Sequence, residues 1–234
     1  MATTTNPLVL EPATVEDVPA ITEIWFASFT QPVIGQLFPD TPGMHEWHRG
    51  WHRGNIQTKP HVRYLRVVDT ESKDEHGQPR LVAFAAWDLA TPEERGRRFP
   101  PWHADSPHQA CEDLITGLEK ERRRVMGDER HYCMGSDSPP LFPSQSYHLV
   151  FGEMVTDFPG VTDLDTVGTH PDYQRRGAGS MLVKWGCDLA DKDGVAAYVD
   201  ASKEGAPLYK RHGFVDFSPV GADVASMARA KKSA

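Results

Sequence analysis

The stretch HPDYQRRGAGSML, His170–Leu182, decides how this chain reads. It places Arg175 and Arg176 directly before Gly177 and Gly179, then runs into an apolar pattern. Upstream, TDLDTVGTH alternates as a strand; downstream, Ala178, Leu182, Trp185 and Leu189 share one helical face. The order is strand, turn, helix. A helix start offers N–H groups without intrahelical partners and the positive end of the helix dipole. Glycine has no Cβ, so a ligand can come close to the backbone there, and arginines suit phosphate oxygens. The pattern predicts a diphosphate site; the bland alternative is an ordinary arginine-rich helix start. Two familiar phosphate loops do not fit. No lysine follows Gly179 as GxxxxGK[ST] requires, and Gly177-x-Gly179 lacks the third glycine of GxGxxG.

Working outward, Gln174, Gly177 and Gly179 match the Q/R-x-x-G-x-G/A pattern of motif A in the GNAT acetyltransferase superfamily. EGAPLYKRHGF, Glu204–Phe214, is similar to the second signature of that superfamily, a helix bearing a tyrosine just before a G-F step. Together the two cover residues 163–217, and their wording resembles fungal members with poorly assigned substrates. The resemblance implies an α+β fold: a central, mostly antiparallel sheet splayed between two middle strands, with helices on both faces. It implies acetyl-CoA as cosubstrate and no metal. Backbone groups of Val167, Gly168 and Thr169 would pair with the pantetheine arm. Gln174 belongs to the motif, and Arg175, Arg176, Gly177, Ala178, Gly179 and Ser180 would hold the diphosphate.

The implied reaction is transfer of an acetyl group from acetyl-CoA to a primary amine of a small molecule, by direct attack in a ternary complex. An amine of pKa near 10 is mostly protonated at pH 7, which costs about 4 kcal/mol. The site therefore wants a base, direct or through water, and an acid for the leaving thiolate. Tyr209 stands where the resemblance puts the acid; otherwise it is a packing tyrosine. For the base, Asp165 comes first and Asp163 second. They sit two apart on a strand and share a face, and both also read as strand-end or turn-capping acids. Glu153 is a weaker candidate. The oxyanion would take a backbone amide of Gly168 or Val167. Two other readings stay open: a protein or peptide N-acetyltransferase, which needs an open groove, and a non-catalytic acyl-CoA-binding module.

The rest of the chain sets the limits. With 234 residues it is read as a single domain, 1–234, large enough for a full core. A net charge of -8 argues against general nucleic-acid binding. No apolar run reaches the roughly 18 residues of a membrane span, and MATTTNPLVLEPAT does not read as a signal peptide. Cys111, Cys133 and Cys187 form no CxxC pair, which fits a reducing compartment. The expectation is a cytoplasmic protein with a small-molecule partner, no nucleic acid, no membrane, and a monomeric or homodimeric state.

Strands are expected at Leu8–Glu11, at VRYLRVVD and PRLVAFAAWD, and at VAAYVDAS and FVDF; Thr14 and Asp17 form a near capping box before a helix ended by Pro32. His45, His48 and His52 could share a helix face, which permits a metal site; the bland reading turns Trp47 and Trp51 inward with the histidines flanking. EKERRR in the helix HQACEDLITGLEKERRRVMG reads as a solvated face. Residues 133–162 read mostly as loop and as an insertion, either a lid or a segment without a role. The loops at 32–60 and 90–108, with Trp47, Trp51, Phe99 and Trp102, would cover a partly apolar acceptor. From Ser218 the chain reads as a flexible tail.

Overall fold

The computed structural model describes residues 6–90, 99–134 and 167–232. The strands are β1 (Leu8–Pro12), β2 (Val62–Lys73), β3 (Pro79–Asp88), β4 (His131–Cys133), β5 (Val167–Thr169), β6 (Ala196–Ser202), β7 (Val215–Asp216) and β8 (Val224–Arg229). The helices are α1 (Val18–Ser28), α2 (Pro32–Leu37), α3 (Pro42–Thr58), α4 (His108–Met126), α5 (Ala178–Asp193) and α6 (Ala206–Arg211). One sheet runs in the order β1-β2-β3-β4-β6-β8-β7, with β5 also on β3. Its pairs are antiparallel except for β4 with β6. The mixed α+β architecture, the mostly antiparallel sheet and the helices on both faces agree with the sequence reading.

The two faces are two cores. On one, α5 and α6 cover Val67, Ala83, Ala85, Trp87, Val199 and their neighbours. On the other, α1, α2, α3 and α4 pack an aromatic-rich core around Trp25, Phe38, Tyr64 and Phe84. Close approach fixes α5 on the sheet. A Cβ at Gly186 would lie 2.0 Å from the fully buried Trp87 ring, so only glycine lets the helix settle there. The indole N–H of Trp87 donates to the carbonyl of Leu182 at 3.3 Å.

The strand carrying the glycine-arginine turn is split. Cys133 lies opposite Asp88 on β3 and Val167 opposite Ala85. The two are 34 positions apart in the chain against three on β3, an excess of 31. β4 and β5 both run antiparallel to β3, so they follow one line along its edge. Most of the 133–162 insertion, and the first part of the strand TDLDTVGTH, residues 162–166, lie outside the described residues.

Five expectations need correction. The segment beyond Ser218 is not simply a tail: it carries β8, which pairs with β6 at six positions, and Arg229 is clamped to Asp191 at 2.6 and 2.8 Å. FVDF supplies only the two-residue β7 and is not the last strand. On α3 Trp51 is buried as expected, but His48 and His52 are fully buried beside it instead of flanking, and Trp47 is only half-buried. In EKERRR, Lys120, Arg123 and Arg124 are exposed as expected, but Glu119 and Arg122 are buried and paired with each other. Pro32 begins α2, whereas α1 already ends at Ser28. The capping box does form: Thr14 N–H donates to Asp17 at 2.7 Å.

Candidate active site

The turn between β5 and α5 is built to present backbone N–H groups. After His170, a short 3-10 turn at Pro171–Tyr173 leads into Arg175 at φ 63 and Gly177 at φ 100. Left-handed residues spaced this closely turn main-chain N–H groups to one side, as in anion-binding concavities. Glycine meets the conformation at Gly177 without strain; Arg175 adopts it against its usual preference. The first helical bond of α5 is Met181 N–H to Gly177 O at 3.1 Å. The amides of Ala178, Gly179 and Ser180 precede it and are available, with the helix dipole behind them, to an anion.

The side chains around the turn have distinct tasks. Arg175 is exposed. Arg176 reaches back to Asp69 on β2 at 2.8 Å and lies over the Tyr173 ring, 5.3 Å from its centroid. Burial would raise the Asp69 carboxyl, but the Glu71 N–H, Arg176 and Ser72 outweigh it and hold the group below its ordinary range. Arg176 thus ties the turn to the sheet. Gln174 Nε2 donates to Thr169 O at 3.3 Å, and Ser28 Oγ from α1 donates to the same oxygen at 3.0 Å. Ser180 Oγ is 2.8 Å from His212 Nε2, at the end of α6.

Beside the turn the sheet opens. β4 pairs with β6 through Cys133 and Tyr198, and Met134 N–H donates to Tyr198 O at 3.2 Å. Past Tyr198, no described residue pairs with β6 on that side, although β5 continues the line of β4. The hydrogen-bond alternation of β5 follows from His170 N–H donating to Val82 O at 2.9 Å. In an antiparallel pair such residues alternate. Gly168 therefore directs its amide and carbonyl to Phe84, and Val167 and Thr169 turn theirs into the opening. Of the two amides considered for an oxyanion, that of Val167 faces the gap.

Tyr209 lies on α6 within the core beneath this opening, 5% exposed. Its ring packs edge-on against Phe214 at 5.7 Å, and its hydroxyl donates to Met134 Sδ at 3.5 Å, at the end of β4. The phenol is thus aimed at the point where the strand line breaks. Asp163, Asp165 and Glu153 lie outside the described residues. On the opposite face, Tyr198 Oη donates to Asp200 at 2.6 Å, and Asp200 is buried beside Arg122, Glu119 and Cys133. Burial works against the Arg122 charge, but Cys133, Glu119 and Asp200 hold its guanidinium above the usual value. Sequence reasoning did not single out this cluster. A signal was present in VAAYVDAS, a lone acid in an otherwise apolar strand.

Trp47, Trp51, Phe99 and Trp102 do gather. They stack on one another, and the first three line a groove of about 490 Å³ along α3. The cysteines are buried and form no disulfide, and burial pushes the Cys111 and Cys187 thiols up to about 11, which suits packing and not nucleophilic attack. Among the described residues no three His, Cys, Asp or Glu side chains are placed to hold a metal, and no helix is long and apolar enough to cross a membrane.

The family model of the acetyltransferase (GNAT) domain matches residues 147–216, which includes β5, the turn, α5, β6 and α6. Over those residues the chain is similar to the GNAT acetyltransferase domain. A histone-acetyltransferase-related acetyltransferase of Corynebacterium glutamicum is similar over 97% of this chain and 98% of its own, at 18% identity and a TM-score of 0.54. The mosquito arylalkylamine N-acetyltransferase like 5b is similar over 95% and 99%, at 12% identity and a TM-score of 0.55. At these identities the likeness is one of fold.

Proposed function

We propose that this protein is a GNAT acyltransferase, which transfers an acetyl group from acetyl-CoA to a primary amine of a small molecule. The observation that carries the reading is the divergence of β6 from the β4–β5 line, directly beside the N-terminus of α5. Amides of Ala178, Gly179 and Ser180, with Arg175, take the diphosphate. The pantetheine arm enters the opening and pairs with the edge of β5 at Val167 and at the Thr169 amide, the Thr169 carbonyl being held by Gln174 and Ser28. This brings the thioester to the break in the strand, over Tyr209.

The chemistry then balances within the site. The neutral amine attacks the thioester carbonyl carbon and a C–N bond forms. The oxyanion is met by the Val167 amide, whose hydrogen bond is worth more there than in water. Collapse breaks the C–S bond, and the thiolate takes a proton from Tyr209. The nitrogen gives its proton to a base, directly or through water. Asp165, then Asp163, are the proposed bases.

A small acceptor is favoured over a peptide by the aromatic wall of α3 with Phe99 and Trp102. A cytoplasmic location fits three buried cysteines that form no disulfide.

The test is thiol release from acetyl-CoA against a panel of aliphatic and aromatic amines, amino acids and peptides. Turnover with small amines is expected, and Tyr209→Phe should lower kcat by about 100-fold or more while CoA binding persists. Release only with peptides would replace the small-molecule reading. CoA binding with no release for any acceptor would make the protein a binding module.

A further inference from the structure

The pair formed by Ser180 and His212 joins the two signature segments of the chain. Ser180 is the third residue of α5, inside the set of free amides, and its Oγ is 2.8 Å from His212 Nε2. His212 follows the last turn of α6, three residues after Tyr209; its N–H donates to Tyr209 O at 2.8 Å and its carbonyl accepts from Arg229 Nε at 3.0 Å. We infer that His212 is a positioning residue of the diphosphate site, which aims the Ser180 hydroxyl at the ligand and makes acyl-CoA affinity rise as pH falls. The inference rests on the proposed acyl-CoA site.

The reason is a count of protons. A serine hydroxyl has one hydrogen to donate. If His212 Nε2 accepts it, none is left for a phosphate oxygen. If Nε2 carries a proton, it donates to Oγ, and the hydroxyl hydrogen is released toward the anion. The imidazolium form permits only this second arrangement. It also adds a positive charge one side chain away from the diphosphate.

The charges around His212 support the direction. Facing it are Arg211 on α6, Lys184 and Asp188 on α5, and Arg229 on β8. Burial comes first, then Arg211, Lys184 and Arg229, and together they hold the imidazole below its ordinary value despite Asp188. A bound diphosphate opposes these cations and favours the imidazolium. A group whose pKa is higher in the complex than in the free protein takes up a proton on binding. Affinity therefore grows as pH falls through that interval.

The experiment is calorimetric titration with dephospho-CoA between pH 8 and 5.5. That probe lacks the 3′-phosphate, whose own second ionisation near pH 6 would obscure the result. The expected wild-type result is about three- to tenfold tighter binding at pH 5.5, equivalent to a pKa rise of roughly half to one unit. His212→Gln, which keeps a neutral amide donor, should stay folded by circular dichroism and bind with a flat pH profile. Ser180→Ala should weaken binding and flatten the profile. His170→Gln, which changes the nearest other imidazole of the turn, should keep the wild-type slope. A flat wild-type profile, or the full slope retained in His212→Gln, overturns the inference while leaving the acyl-CoA site intact. No binding of CoA or dephospho-CoA by the wild type at any pH refutes the site itself, and the inference with it.

Discussion

Acidification should unfold this protein well before its carboxylates are protonated, because α3 buries two imidazoles. His48 is fully buried, and among the described residues neither of its ring nitrogens has a hydrogen-bond partner. Its ring lies 4.1 Å from that of Trp25 and 5.9 Å from that of His52. His52 is also fully buried, with Nδ1 3.0 Å from Tyr64 Oη. Burial first, then His52 and His45, hold His48 well below its ordinary value, and burial pushes His52 down to about 3. Both folded values lie below the unfolded value of about 6.5. The unfolded chain therefore binds these protons first: stability is complete above pH 6.5 and is lost as pH falls toward 3. At pH 5, about 1.5 units below the unfolded value, His52 alone removes about 2 kcal/mol at 1.36 per unit. His48 adds a loss of the same sign. With both charging only in the unfolded state, the slope near pH 5 approaches about 2.7 kcal/mol per pH unit. Asp191, held at about 2 by Arg229 first and by Lys232, contributes its own loss only below this window. Urea unfolding at pH 7.5, 6 and 5 measures the slope, in wild type and in a His48→Phe/His52→Gln double variant. The variant should lose most of the dependence. Parallel curves for the two proteins would refute the reasoning.

Two further outcomes follow from packing and register. Gly186→Ala drives a methyl into the Trp87 ring, a contact of 2.0 Å before relaxation, and should cost about 1–3 kcal/mol, read as a lowered Tm. Deleting residues 135–165 joins Met134 to Thr166 and gives β4 and β5 the spacing of one continuous strand on β3. The shortened chain should unfold at a temperature no lower than the full one and still bind CoA. It also lacks Asp163 and Asp165, so undiminished turnover in it would remove both from the role of base.

The sequence carried the architecture and the turn because both are written in local signals. Glycine spacing, the strand–turn–helix order and the tyrosine before Gly213-Phe214 are short-range patterns, and the backbone obeys them with Gly177 at φ 100 and Gly213 at φ 86. What was misread depends on partners far along the chain. VASMAR has small residues and no clear alternation, and becomes a strand only because β6 offers an edge for it. Period alone could not say that His48 and His52 of α3 are buried with Trp51 while Trp47 is only half-buried, since the two sets lie one residue apart. The aromatic core around Trp25 and Phe38 takes the histidines. Glu119 and Arg122 look like surface charge until Asp200 and Cys133 are seen beneath them. Nothing in the residues 131–134 announces that they extend the strand of the glycine-arginine turn from 31 positions away.

The central claim is that main-chain donors at the start of α5 grip the diphosphate of an acyl-CoA. Isothermal titration of CoA into wild type and into Gly177→Asp measures it directly. The substitution adds a negative charge and a Cβ at a residue with φ 100. Saturable one-to-one binding by the wild type and none by the variant is the expected result. Equal binding by both, or no heat from either, would contradict the account.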